Sequence, residues 1–319
     1  MFPYDLLIAA PNSAIDSYYE LDKFQMGKVN KAVYSFHTAG GKGFNAARAL
    51  NRLGGKALSI GIVAGKSGEF IEEDLRNEGI LHDLVWGEGE SRRCVTIRFP
   101  DSLDTTVILE NGSQVGDNVL ENFRTNIISH AYEAPFTALV GSLPEGFPVD
   151  FYKEIILELK KKNIRVCIDC SGKTLQKAVE ASPWMIKINL EEFQSAFLGN
   201  SDKVLWQDVQ NTYFDLYAQG VEILIITNGK KGAYVLSPNQ DLIHVYTEVK
   251  NIVSSAGSGD TFLAAFLLSF EREKSITKAA IYASAASAAN LLELGCGFFQ
   301  LDVVNKLLTT TQIDNIPWS

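Results

Sequence analysis

From residue 56 onward, short β-branched apolar runs alternate with amphipathic stretches. Residues 58–63, 136–140, 164–168, 184–188 and 222–227 read as buried strands, being short, continuous and rich in Ile and Val. Residues 69–77, 149–162, 173–180 and 208–219 read as the helices between them. In 149–162, Phe151, Ile155, Ile156 and Leu159 share one face, with lysines opposite and after. This alternation predicts an α/β fold, a doubly wound and mostly parallel sheet with helices on both faces.

Two stretches, residues 17–38 and 92–110, break the rhythm. They carry alternating runs such as Val95-Thr-Ile97-Arg and Thr106-Val-Ile-Leu109, joined by Asp- and Ser-rich turns. Such runs read as antiparallel strands of a small accessory sheet, discontinuous in sequence. An open sheet binds ligand beyond the carboxyl ends of its strands, so the accessory would cover that site as a lid. No repeat, low-complexity tract or Pro/Gly linker divides the chain, which reads as one domain over 1–319 plus the inserted lid.

Composition narrows the function. The 319 residues are 46% hydrophobic and 21% charged, which excludes a disordered, collagen-like or disulfide-stapled chain. With 29 Lys+Arg against 38 Asp+Glu, the net charge of −9 argues against nucleic acid or an anionic membrane as partner. It leaves room for a phosphorylated small molecule, which a few cations and backbone amides can hold. The first basic residue is Lys23, so no charged region precedes an apolar core as in a secretory signal. The uncharged run at 279–292 has 14 residues and includes Ser284, Ser287 and Asn290, too short and polar to span a bilayer. A cytoplasmic protein is expected. Cys167-Ile-Asp-Cys170 has C-x2-C spacing, but Cys94 and Cys296 stand alone and offer no second ligand pair. The pair therefore reads as buried thiols of a core strand.

Three glycine motifs compete for an anion. Gly61-Ile-Val-Ala-Gly65-Lys66-Ser67 is one residue too short between its glycines for a phosphate loop and reads as a strand-to-helix turn. Gly41-Lys-Gly43-Phe-Asn-Ala46 matches a dinucleotide fingerprint, yet the preceding residues 32–37 alternate like an edge strand, and no carboxylate stands near residues 60–65. An NAD-dependent oxidoreductase is thus the alternative from another class, and it requires that helix to follow a central strand. The third motif, Gly257-Ser258-Gly259-Asp260, precedes a run in which Phe262, Leu263, Phe266, Leu267 and Phe270 keep helical spacing. Amides at such a helix start converge on an anion, and the dipole adds about 0.3–1 kcal/mol. Asp260 there reads either as an N-terminal cap or as a catalytic base.

The same four residues resemble the G-[AS]-G-D signature of the PfkB/ribokinase family of carbohydrate kinases. Ala39-Gly40-Gly41-Lys42-Gly43-Phe44-Asn45 resembles its N-terminal signature, Lys187-Ile-Asn189-Leu-Glu-Glu192 its N-x-x-E motif, and Thr227-Asn-Gly229-Lys-Lys-Gly232 its T-x-G-x-x-G turn. Asn12-Ser-Ala-Ile-Asp16, Gly27-Lys28-Val-Asn30-Lys31, Ser91-Arg92 and Gly141-Ser142-Leu-Pro-Glu-Gly146 are similar to motifs of its 1-phosphofructokinase and tagatose-6-phosphate kinase branch. Ser13 and Lys31 depart from that branch, which usually has Pro and Arg there.

The resemblance implies a ribokinase-like fold and ATP-dependent phosphorylation of a phosphorylated ketohexose. Asp260 would be the general base, with Gly257, Ser258 and Gly259 as an anion hole. Asp16, Gly41, Asn45 and Ser142 would hold the sugar, and Lys28, Lys42 and Arg92 its phosphate. Lys187, Asn189, Thr227, Gly229 and Gly232 would bind ATP, with Asn290 ending a small-residue helix that walls the adenine. Asn189 and Glu192 would organise Mg2+ through water. A homodimer through the lid is expected by analogy. An unphosphorylated sugar or nucleoside is the alternative acceptor, and convergence of Lys28, Lys42 and Arg92 on one pocket is the discriminator. A catalytically dead sugar-binding regulator would be expected to lose Asp260 or the glycines beside it, and all are present.

Overall fold

The computed structural model describes residues 2–99, 105–199, 204–238 and 240–317. β1 (Leu6–Ala10) enters the core, and β2 (Ala14–Glu20) and β3 (Tyr34–Gly40) leave it as a hairpin before α1 (Lys42–Arg52) returns. β4 (Ala57–Ala64), α2 (Gly65–Asn77) and β5 (Leu81–Gly87) follow, then a second excursion, β6 (Arg92–Arg98) and β7 (Thr105–Leu109). The alternation continues through α3 (Asp117–His130), β8 (Phe136–Val140), α4 (Phe151–Lys160), β9 (Arg165–Asp169) and α5 (Gly172–Val179). Next come β10 (Met185–Asn189), α6 (Leu190–Phe193), α7 (Trp206–Gln219) and β11 (Ile223–Thr227). The chain ends with β12 (Ala233–Leu236), β13 (Leu242–Tyr246), α8 (Ser258–Glu273), α9 (Ile276–Asn290), α10 (Leu301–Leu308) and β14 (Gln312–Ile316).

Among the described residues, ten strands form one sheet in the order β14-β13-β12-β11-β10-β9-β8-β1-β4-β5. The seven from β11 to β5 pair parallel, and β12 to β14 add an antiparallel edge. β1 shows why helices cover both faces. Leu6, Ile8 and Ala10 pack with α1, α2, α8, α9 and α10, while Leu7 and Ala9 pack with α3 to α7. Successive side chains of a strand point to opposite faces, so an all-apolar strand demands a layer on each.

Cys167 and Cys170 are buried free thiols, as their place in the apolar run implied. The P-loop look-alike is the turn from β4 into α2, where the Glu90 carboxylate takes the N–H groups of Lys66 and Ser67 at 3.0 and 2.9 Å. No described helix is long and apolar enough to cross a membrane.

The accessory sheet exists, but it is mixed and not antiparallel. Its order is β3-β2-β6-β7, with β2 and β6 paired parallel and the outer pairs antiparallel. Parallel neighbours need a long crossover, and the segment from α1 to β5 supplies it. The sheet also begins earlier than expected, at Ala14, and residues 100–104 of the expected lid lie outside the described residues. The helix that Gly41–Ala46 opens follows β3, an edge strand of this accessory sheet, so the arrangement an NAD site requires is not met.

Candidate active site

Parallel pairing of β9 with β10 brings Asp169, the last residue of β9, level with Lys187, the middle residue of β10. Lys187 Nζ donates to Asp169 Oδ2 at 2.6 Å, and Lys42 Nζ, from the first turn of α1, donates to Oδ1 at 2.5 Å. Burial alone would raise the Asp169 carboxyl, but the two ammonium groups outweigh it and hold it below the ordinary range. Burial likewise opposes the charge on Lys42, and Asp169, Asp260 and Glu192 together raise it above the usual lysine value.

Asp260 lies in the first turn of α8 and is buried. The Asn45 amide donates to its Oδ2 at 3.1 Å. Burial pushes the carboxyl above its ordinary value, against the pull of Lys42, Lys187 and the Asn45 amide. The turn before it is shaped by Gly257, whose φ of 74° is left-handed and whose β-carbon, if present, would stand 2.5 Å from that of Cys296. A β-carbon at Gly259 would stand 2.8 Å from Lys187 Nζ, so the helix start and the lysine meet only because that position is bare. Asp260 is not an N-cap: Gly257 takes that position, and no side chain caps the helix. The first-turn amides stay available for an anion, the Ser258 N–H making only a long 3.4 Å contact with the Ser255 carbonyl.

Asp16 of β2 is buried and its carboxyl is pushed up to about 6, by burial first, while Arg48 and Arg92 pull it down and Asp260 pushes it further up. Thr227, Gly229, Gly232, Ser258 and Gly259 line a cleft of about 1180 Å³, in the size range of a large ligand site. A separate cavity of about 400 Å³ is lined by Asn12, Ser13 and Arg92, together with Glu88, Glu90 and Asp117. Arg92 Nε and Ser13 Oγ are buried there without a hydrogen-bond partner, although Arg92 Nη2 reaches the Asn12 carbonyl at 3.3 Å. Ser142 joins this region through Asn12 Nδ2, 3.0 Å from its Oγ.

Three expected site residues sit differently. Lys28 is exposed in the turn between β2 and β3 and lines neither cavity, and Lys42 is engaged with Asp169, so the three cations do not converge on one pocket. Asn290 is fully buried beneath the nucleotide-sized cleft. Its Oδ1 takes the Gly297 N–H at 2.7 Å and its Nδ2 donates to the Ala256 carbonyl at 2.8 Å, so it braces the loop before α8. Asn189 and Glu192 form a reciprocal capping box, each side chain accepting the other's backbone N–H at 2.8 Å. That fits a hydrated magnesium ion, since Glu192 Oε1 remains unengaged among the described residues and its charge is felt by Lys42.

Asp169 was missed. A charged residue closing an otherwise apolar central strand at its carboxyl end was the available signal. Arg48, a lone cation on the apolar face of α1, was missed as well.

The family profile described as pfkB family carbohydrate kinase matches residues 10–302. The structure of phosphofructokinase-2 from Escherichia coli in complex with potassium superposes with a TM-score of 0.87 at 21% identity, covering 96% of this chain and 98% of that one. A possible 1-phosphofructokinase from Thermotoga maritima gives 0.87 at 20% identity over 98% of this chain and 99% of its own. Ribokinase from Arabidopsis thaliana, complexed with ribose and ATP, gives 0.74 at 20% identity over 96% and 99%. These likenesses establish a ribokinase-like fold, and the profile match over nearly the whole chain establishes more: the chain belongs to the pfkB family of carbohydrate kinases.

Proposed function

We propose that the chain transfers the γ-phosphoryl group of ATP to a hydroxyl of a phosphorylated ketohexose, in the manner of a 1-phosphofructokinase or tagatose-6-phosphate kinase. The observation that carries this reading is the buried Asp260 carboxylate beside the bare amides of residues 257–259, at the edge of the nucleotide-sized cleft. Asp260 takes the proton of the attacking hydroxyl as that oxygen bonds to the γ-phosphorus and the bond to the β-phosphate oxygen breaks, leaving ADP. The amides of Gly257, Ser258 and Gly259 meet the charge on the passing phosphoryl oxygens. Asp16 and Asn45 orient the sugar hydroxyls, and Gly41 lets the backbone approach them. Thr227, Gly229 and Gly232 hold the nucleotide, while Lys42 and Lys187, fixed by Asp169, bring positive charge to its phosphates. Asn189 and Glu192 would hold Mg2+ through water, and the ion would supply neutralisation of phosphate charge.

The acceptor's own phosphate is assigned to Arg92, the cation that lines the smaller cavity. A second reading, an unphosphorylated sugar or nucleoside, is favoured by the failure of Lys28, Lys42 and Arg92 to share one pocket and by the carboxylates of Glu88, Glu90 and Asp117 around Arg92. A coupled ADP-release assay with Mg-ATP and fructose 1-phosphate, fructose 6-phosphate, tagatose 6-phosphate, fructose and ribose separates the two. Turnover confined to the unphosphorylated sugars would sink the first reading, and turnover confined to the phosphorylated ones would sink the second. Arg92→Ala should raise KM for the phosphosugar far more than for ATP. A homodimer through the lid belongs to the same proposal, supported by the exposed apolar side chains of Met26, Val29, Ile108 and Leu109.

A further inference from the structure

Arg48 has no role in the chemistry so far, yet it is among the largest fully buried side chains, 1% exposed. All three guanidinium nitrogens are engaged. Nε and Nη2 donate to the two carboxylate oxygens of Glu78 at 2.6 and 2.7 Å, just past the end of α2. Nη2 also reaches the Ala39 carbonyl at 2.7 Å and Thr38 Oγ1 at 2.9 Å, both on β3. Nη1 donates to the Cys296 carbonyl at 3.0 Å and to Asn45 Oδ1 at 3.4 Å. One planar fork therefore ties together the lid strand, the sugar-side helix and the segment packed behind Gly257.

The contact with Asn45 has a chemical consequence. A carboxamide presents its oxygen on one side and its NH2 on the other, and Arg48 can only donate. The Asn45 oxygen must face Arg48, so its NH2 faces Asp260, where it donates at 3.1 Å. Turned over, the amide would set NH2 against guanidinium and oxygen against carboxylate. A donor at Asp260 favours the ionised form, the one that can accept a proton.

We propose that Arg48 is a positioning residue for phosphoryl transfer: it locks the Asn45 amide as donor to Asp260 and holds Cys296 against the Gly257 turn. The inference rests on Asp260 being the base. The titratable and charged groups around Asp260 are Lys42 of α1, Asp169 of β9, Lys187 of β10, Asp16 of β2 and Cys296, and none of them is altered in the test.

The test compares Arg48→Lys, which keeps the charge and loses the fork, with the unsubstituted protein. In protein labelled with ¹⁵N-asparagine, the Asn45 side-chain resonance, assigned by its loss in Asn45→Ser, follows the ionisation of Asp260 without any turnover. Arg48→Lys should move that titration midpoint up by about half a unit or more. It should lower kcat on the best acceptor by about 10²-fold, as a small misplacement of a reacting group does, while KM for ATP stays within about threefold. An unmoved titration overturns the proposal, including where kcat falls only in proportion to the folded fraction seen by circular dichroism. Should Arg48→Lys fail to fold, Glu78→Gln loosens the same guanidinium in place and must shift the midpoint in the same direction; no shift there is equally fatal. If Asp260→Asn keeps its turnover, the base assignment fails and this inference with it. If Asp260→Asn is inactive while Arg48→Lys behaves as unsubstituted protein, only the role of Arg48 fails.

Discussion

Asp169, which closes β9, and Lys187, midway along the neighbouring β10, set their charged atoms 2.6 Å apart, and the second oxygen of Asp169 holds Lys42. Removing the carboxylate would leave the buried Lys187 without the group it is hydrogen-bonded to. Asp169→Asn should lower the unfolding free energy by about 3–5 kcal/mol at pH 7. It should also cut kcat, because both lysines lose the group that aims them. The pH dependence has a definite sign. A carboxyl held below its unfolded value stabilises the fold above about pH 4 and loses that effect as pH falls through its lower folded value. Urea titrations of both proteins should therefore converge as pH falls below about 4; a constant gap would mean the loss is one of packing.

Gly257 offers a sharper comparison. Gly257→Ala puts a side chain into a left-handed backbone, costing about 1–2 kcal/mol, and also into Cys296. Gly229→Ala incurs only the first cost, since its φ of 51° faces open space. The Gly257 variant should be the less stable by thermal melt and lose about 10²-fold in kcat through displaced anion-hole amides. A Gly257→Ala protein that kept its kcat would remove the anion turn from the mechanism.

The contrast between these positions explains what was legible in the sequence. Gly257, Gly259 and Asp260 share one helix start, so four consecutive residues bring them together. Lys42 was legible as a cation but not as a partner of Asp169, which is 127 positions away, and Lys187 is 18 positions from the same carboxylate. Such pairings follow from strand order, which no local pattern encodes. The central strands were readable because burial on both faces makes them continuously apolar, as Ile223–Thr227 shows. The parallel pairing of β2 with β6 was not, since alternation sets which face is buried and says nothing of a neighbour's direction. Asn290 misled for a related reason: its helix does border the cleft at Ser284, Ser287 and Ala288, but its own side chain turns inward.

The lid makes a separable prediction. Val107, Ile108 and Leu109 follow one another on β7, and all three are more than half exposed, so neither face of that strand is covered within one chain. Met26 and Val29, in the other lid segment, are about nine-tenths exposed. Pairing of two lids would bury these side chains, each contributing about 1.5–3 kcal/mol when fully covered. Val107→Glu combined with Leu109→Glu should give a monomer by sedimentation velocity with an unchanged core melting profile. A wild-type protein that sediments as a monomer at every concentration would defeat lid pairing.

Asp16 should trade stability against activity. Its carboxyl, moved by burial from an ordinary 3.8 up to about 6, binds a proton more tightly in the folded protein than in the unfolded chain. Folding is therefore weakened as pH rises from about 4 to about 6, and that loss persists at pH 7. Two units correspond to about 3 kcal/mol, an upper bound on what Asp16→Asn should restore at pH 7, because Arg48 and Arg92 lose a compensating charge. The variant should melt higher at pH 7, with the gain vanishing below about pH 4, where both states are protonated. The same ionisation would govern sugar binding, since the carboxylate accepts hydroxyl donors at both oxygens whereas protonation turns one oxygen into a donor. KM for the acceptor should rise as pH falls below about 6, while KM for ATP does not follow it. A destabilised Asp16→Asn at pH 7, or parallel changes in both KM values, would contradict a buried carboxylate held charged for its ligand.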